Sequence, residues 1–179
     1  MANYCQDQLP QYADNNCEVY QLGGISHVAI IEPGNPYEGQ DLEDIATWNS
    51  MLADGYARII SGVNVQTPDP SAVETANPKA CGPDNVKIKM NNTLTINDAN
   101  VTAENDAFYA ALDGRDTYAV IYYCQEGNMR YIAKPISWST SMPTAPDQNS
   151  FQSYKVVGTF VTPKNYMPEL LTAPAGLFV

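Results

Sequence analysis

The sequence predicts a β-rich α+β protein: a β-sandwich or partly closed barrel with two flanking helices and extended arms at both ends. Three observations lead there. Apolar, β-branched runs of strand length recur through the middle of the chain, Val28–Ile31 and Tyr118–Cys124 among them. Only two stretches, 41–54 and 102–113, place apolar residues at helical spacing. The ends differ from the middle. Residues 1–24 are short of Val, Ile, Leu and Phe and finish in Gly23–Gly24, and residues 162–179 are broken by Pro163, Pro168 and Pro174. Segments of that kind fray in a free monomer. The expected organisation is therefore an N-terminal arm (1–24), one β-rich domain (25–161) and a C-terminal arm (162–179).

Ile25–Ile31 (ISHVAII) reads as the first strand, entered sharply through Gly23–Gly24 and ended by Pro33, Gly34 and Pro36. The first helix over 41–54 places Leu42, Ile45, Trp48 and Leu52 near helical spacing, with Asp41 as N-cap and Gly55 as stop. Tyr56–Val65 returns to strand, with Gly62 marking a bulge. Gln66–Asp84, with four prolines, reads as a long loop, and a loop of that length either has a contact role or is mobile. The alternation in Val86–Met90 and Thr93–Ile96 predicts a hairpin turning at Asn91–Asn92. The second helix over 102–113 has Thr102 as N-cap, an apolar face of Ala107, Phe108, Ala111 and Leu112, and Gly114 after its end. Two long strands, 117–124 and 129–138, follow. After a Pro-rich turn (142–148), 151–161 is the last strand.

The net charge of −11, from 20 acidic and nine basic residues, argues against a protein that grips nucleic acid through its phosphates. No apolar run is long enough to span a membrane as a helix, and no basic-then-apolar leader precedes the first strand, so neither membrane insertion nor secretion is expected. Cys5, Cys17, Cys81 and Cys124 have no CxxC spacing. Synthesis in a reducing compartment favours free thiols, with a Cys5–Cys17 disulfide as the competing arrangement.

Catalytic machinery is sparse. The single histidine, His27, lies inside an apolar strand and reads as a structural side chain satisfied by a neighbour. One His and four scattered Cys do not make a zinc site. Neither a GxxxxGK[ST] nor a GxGxxG phosphate motif occurs. Asp41, Glu43 and Asp44 read as helix capping, and Asp147–Asn149 as turn chemistry rather than calcium ligands. Asn91–Thr93 and Asn100–Thr102 match N-x-[ST], but with no leader they do not imply glycosylation. No catalytic residue, cofactor or metal is expected. Met142, Met167, Tyr154, Phe160 and Tyr166 are candidates for a binding surface, with most of them expected simply in the core. Leu170, Leu171, Leu177 and Phe178 lie in a tail that should not reach the core of its own domain, so with Tyr4 and Leu9 they are the candidate inter-subunit contacts.

The order of elements (arm, strand, helix, strand, long loop, hairpin, helix, two long strands, a final strand, arm) resembles that of tail-tube-like proteins of tailed bacteriophages. CEVYQLGGISHVAII is similar to the Cys-then-Gly-Gly opening of such proteins from phages of Bacteroidetes. The stretch from Ala107 to Val161 is similar to their helix–strand–strand–strand ending. The resemblance covers chiefly 17–31 and 85–161. The helix at 41–54 and the loop at 66–84 depart from the simplest tube subunit, which leaves tube, ring, completion and connector proteins as alternatives.

The resemblance implies a structural virion protein without catalytic residues. It would be made in the host cytoplasm and would self-assemble as a ring of six or more copies. Its partners would be other tail or connector proteins, with double-stranded DNA passing transiently and non-specifically through the ring. An acidic lumen suits that role because it repels phosphate. Two other classes compete: a glycan- or surface-binding β-sandwich, with Trp138 as the stacking platform, and an acid-pair hydrolase, for which no pair of carboxylates stands out.

Overall fold

The computed structural model describes residues 25–61, 63–67, 70–76, 85–123, 128–141 and 152–178. These form a nine-stranded antiparallel sheet and two helices. The strands are β1 (Ile25–Ile31), β2 (Ala57–Ser61), β3 (Asn64–Gln66), β4 (Ser71–Ala76), β5 (Asn85–Asp98), β6 (Asp116–Tyr123), β7 (Asn128–Ser141), β8 (Tyr154–Pro163) and β9 (Glu169–Thr172). The helices are α1 (Ile45–Ala53) and α2 (Ala103–Leu112). The main path runs β2-β1-β6-β7-β8-β5-β3; β4 lies beside β3 along β5, and β9 beside β8 along β7.

The strands at the two ends of this path, β2 and β3, are consecutive in the chain. Three residue steps separate Ser61 from Asn64, which bounds their distance at about 10 Å. The sheet must therefore curl until its ends nearly meet. β3 comes close to β1, yet β2 and β3 form no ladder, so the barrel is not closed.

Curling gives the sheet an enclosed face and an outer face, each with its own core. Inside lie Val28, Ile30, Leu94, Ile96, Ala119, Ile121, Ile132, Ile136, Trp138 and Val156, capped by Tyr109 and Leu112 of α2. Outside, Ala29, Ile31, Val120 and Met129 are covered by Trp48 and Met51 of α1. β1 and β6 are thus buried on both faces, which explains why VAII and AVI are unbroken apolar runs rather than alternating ones.

Several boundaries differ from the sequence reading. α1 is capped by Asp44, whose carboxylate accepts from Ala46 N at 2.9 Å, whereas Asp41 accepts from Glu43 N in a turn before the helix. The expected strand 56–65 divides into β2 and β3, and Gly62 lies outside the described residues. The expected loop 66–84 contains β4, which pairs with β5. No hairpin turns at Asn91–Asn92: β5 runs straight through both, with Asn91 paired to Ser71 on one side and Val161 on the other. Asn92 fits a strand because its amide donates to Met90 O (3.1 Å) and Thr162 Oγ1 (2.9 Å).

In α2 the Thr102 cap is as expected, accepting from Asn105 N at 3.1 Å, but the buried face is Tyr109 and Leu112 with Phe108 beside them. Ala107 and Ala111 are exposed. The larger Tyr109 ring buries more apolar surface, and its hydroxyl finds a partner in Asp98. The turns at 124–127 and 142–151 lie outside the described residues.

Gly158 of β8 faces Trp138 of β7, and the Trp138 indole donates to Thr117 Oγ1 at 2.7 Å. A Cβ at Gly158 would come within 2.6 Å of Ile136 Cγ2 and 2.7 Å of Trp138 Cζ3. Gly158→Ala should therefore cost about 1–3 kcal/mol by overpacking, read as a lower urea midpoint at unchanged slope. A wild-type midpoint would show that the Trp138 ring can yield.

Candidate functional site

Residues 162–178 do not form a free arm. β9 pairs antiparallel with Asn128–Tyr131 of β7, and Thr172 N donates to a Glu43 carboxylate oxygen in front of α1. A turn closed by Leu177 N to Pro174 O (3.2 Å) brings the chain back over the outer face. Leu171, Leu177 and Phe178, expected as anchors on a neighbour, pack instead against the chain's own outer core. The Phe178 ring stacks on Tyr122 (centroids 4.3 Å apart, planes at 17°) and meets His27 at 5.4 Å and Trp48 at 6.3 Å. The tail reaches this core because β9 carries it across β7 onto a face that α1 leaves partly open. Leu170, on the opposite side of β9, is 54% exposed, and Met167 just before it is 75% exposed. Tyr4, Leu9, Met142, Asp147–Asn149 and all four cysteines lie outside the described residues.

A second feature arises where β8 and β9 share one edge of β7. β9 takes 128–131 and β8 takes 137–141, so among the described residues the stretch between them has no strand partner on that edge. Two local devices fit this gap. The Tyr166 hydroxyl accepts from Ala133 N at 3.1 Å, and Pro135 has no N–H to satisfy. A cavity of about 300 Å³ opens here into the barrel interior. Its walls include Leu94, Ile121, Ile132, Phe160, Met167 and Arg130. Arg130 is half-buried and donates to Pro168 O at 3.3 Å, and no carboxylate among the described residues lies within ion-pairing distance of it. The sequence reading passed over Arg130. The available signal was its parity with Ile132, Ile136 and Trp138, which sets a cation on the inward side of an alternating strand.

The buried polar groups are arranged for stability. Asp98, 4% exposed, accepts from Asn100 N (2.8 Å) and the Tyr109 hydroxyl (2.7 Å), and the Tyr154 hydroxyl donates to Asp106 at 2.6 Å. Among the described residues no buried side-chain nitrogen or oxygen lacks a partner, and no three His, Cys, Asp or Glu side chains converge as a metal site. His27 is half-buried between Tyr122 and Phe178, and burial lowers its pKa. Trp138, the platform candidate of the competing binding-module reading, is 2% exposed and packs in the enclosed core, the role the sequence favoured for it. No helix among the described residues is long and apolar enough to cross a membrane.

No protein-family model matches the chain, and neither a curated protein nor a solved structure matches it. The class of the protein must therefore be argued from its own surfaces. What these surfaces offer is open strand edges: among the described residues β2 pairs only with β1, β4 only with β5, and β9 only with β7.

Two measurements follow from this geometry. Phe178→Ala should lower stability by about 2 kcal/mol, less than for a fully buried Phe because the ring is half-exposed, and urea denaturation reads the loss. Wild-type stability would mean that the tail does not hold the outer core. The second concerns alkali. Burial, then the bond to Asp106, raises Tyr154 to about 12. Burial, with neighbouring Tyr118 and Glu38, raises Tyr131 to about 12 as well. Tyr109 is pushed higher still by burial and Asp98. Unfolded tyrosines ionise near 10. Stability from these groups is full below about pH 10 and falls as pH rises towards 12, because there the unfolded chain has released protons that the folded chain keeps. Native protein should show a late-titrating tyrosinate fraction that disappears in denaturant; a single native transition near 10 would contradict it.

Proposed function

We propose that the protein is a structural virion subunit of the tail-tube type. It self-assembles into a ring of six or more copies in the phage tail or connector and surrounds the channel through which DNA passes. The observation that carries this reading is the set of strand edges unpaired among the described residues, with exposed aliphatic side chains near them: Ile88 of β5 beside β4, Met167 just before β9 and Leu170 within it. Unpaired edges are an aggregation hazard in a monomer and a means of closed association in a ring, where one edge meets a different edge on the next copy. The resemblance of residues 107–161 to the helix–strand–strand–strand ending of that class, an order that α2, β6, β7 and β8 keep, supports the same class, and so does the net charge of −11, which suits a channel that releases DNA rather than holding it.

No catalytic role is proposed. A glycan-binding role draws no support from the tryptophans, since both are buried.

Light-scattering mass combined with negative-stain microscopy tests the assembly. The expected result is rings of six or more copies with contacts that bury more than about 2,000 Å² each. A chain that stays monomeric at all concentrations, and that does not co-purify with virions, would overturn the reading.

A further inference from the structure

We infer that the cavity between β8 and β9 is a docking slot for a second copy of this chain, and that Arg130 at its mouth receives a carboxylate from that copy. This rests on the ring reading above and names one of its contacts. Three observations converge on the slot. Its floor is aliphatic, made by Leu94, Ile121 and Ile132 of the enclosed core. Its rim continues outward over Met167, 75% exposed, and Leu170, 54% exposed, so the apolar surface extends beyond the cavity itself. At the mouth stands a half-buried guanidinium without an ion-pair partner among the described residues.

A half-buried guanidinium gains from a charged partner, and its fork of five donors matches the two oxygens of a carboxylate or a phosphate. One bond to a backbone carbonyl leaves most of that fork unused. The charge of the chain then selects the partner. With 20 acidic residues against nine basic ones, a second copy offers carboxylates in excess. Nucleic acid would need several clustered cations, whereas among the described residues Arg130 is the only cation lining the cavity, with Lys134 nearby over the Tyr166 ring. A small anion would fill the cavity and leave Met167 and Leu170 in water, whereas a polypeptide covers both. The edge of β9 that is unpaired among the described residues borders the same rim, so an incoming extended segment can add backbone hydrogen bonds to those side-chain contacts. Because the slot and the segment that fills it are different surfaces, the contact is head-to-tail, the kind that closes into rings.

The test compares the assembled fraction of full-length wild type, Arg130→Glu, Arg130→Met and Arg115→Glu at one concentration. Arg115 pairs with Glu32 on the surface at 3.0 Å, and its reversal changes net charge by the same amount as reversal at Arg130. Arg130→Glu should lower the assembled fraction about tenfold or more, Arg130→Met should lower it while keeping wild-type urea stability, and Arg115→Glu should leave it near wild type. A photo-crosslinker at Met167 in the wild-type background should yield a covalent dimer of this chain. Normal assembly of Arg130→Glu would overturn the slot and leave the ring reading standing. Equal loss in both charge reversals would also overturn it, since net charge would then be the cause. Crosslinks only to another protein would assign the slot to that partner and overturn it. A wild type that does not assemble would overturn both readings.

Discussion

The short link between β2 and β3 is the constraint on which the rest of the structure depends. Two strands at opposite ends of a seven-strand path are separated by two residues, so the sheet has no choice but to curl. A flat sheet would have one core and one wetted face. The curled one has an enclosed core that side chains of β5, β6, β7 and β8 fill, and an outer face too apolar to leave in water. α1 covers part of that outer face, and the returning chain after β9 covers more. The split of β7 between β8 and β9 has a related origin: β8 leaves β7 while following β5, and the vacated edge is where β9 docks.

Much of the fold was legible. β1 matches its sequence boundaries because strand length, β-branching and flanking prolines agree there. Thr102 was readable as a cap, since a hydroxyl followed by acidic residues leaves few alternatives. What escaped was decided by partners distant in sequence. Ser71–Ala76 is too polar and too Ala-rich to announce a strand, and becomes one because β5 presents an edge to it. Asn91–Asn92 carries turn chemistry, but ladders on both sides of β5 outweigh that local preference. Prolines around β9 suggested an arm; Pro163 and Pro168 instead bracket the crossing from β8 to β9, and Pro174 opens the turn that returns Phe178 to the core.

The candidate contact surface was legible only in outline. Exposed leucines in the tail pointed to the right region, but sequence spacing could not separate Leu170 from Leu171. The strand does so directly: adjacent residues face opposite sides of a sheet, so one packs on the outer core while the other stays in solvent. Arg130 was harder to notice, because an arginine in a strand is ordinary until its register shows which side it faces.

The two tryptophans of the chain fall one to each core. Trp48 lies in the outer core with its indole N–H on Leu42 O at 2.7 Å, and Trp138 lies in the enclosed core with its own on Thr117. The protein therefore carries a separate intrinsic optical probe for each side of its sheet. Replacing either indole by phenylalanine leaves an emission signal that belongs to the other layer alone. Whether the two layers melt as one cooperative unit or in succession is thus a question that this molecule can answer without an added label.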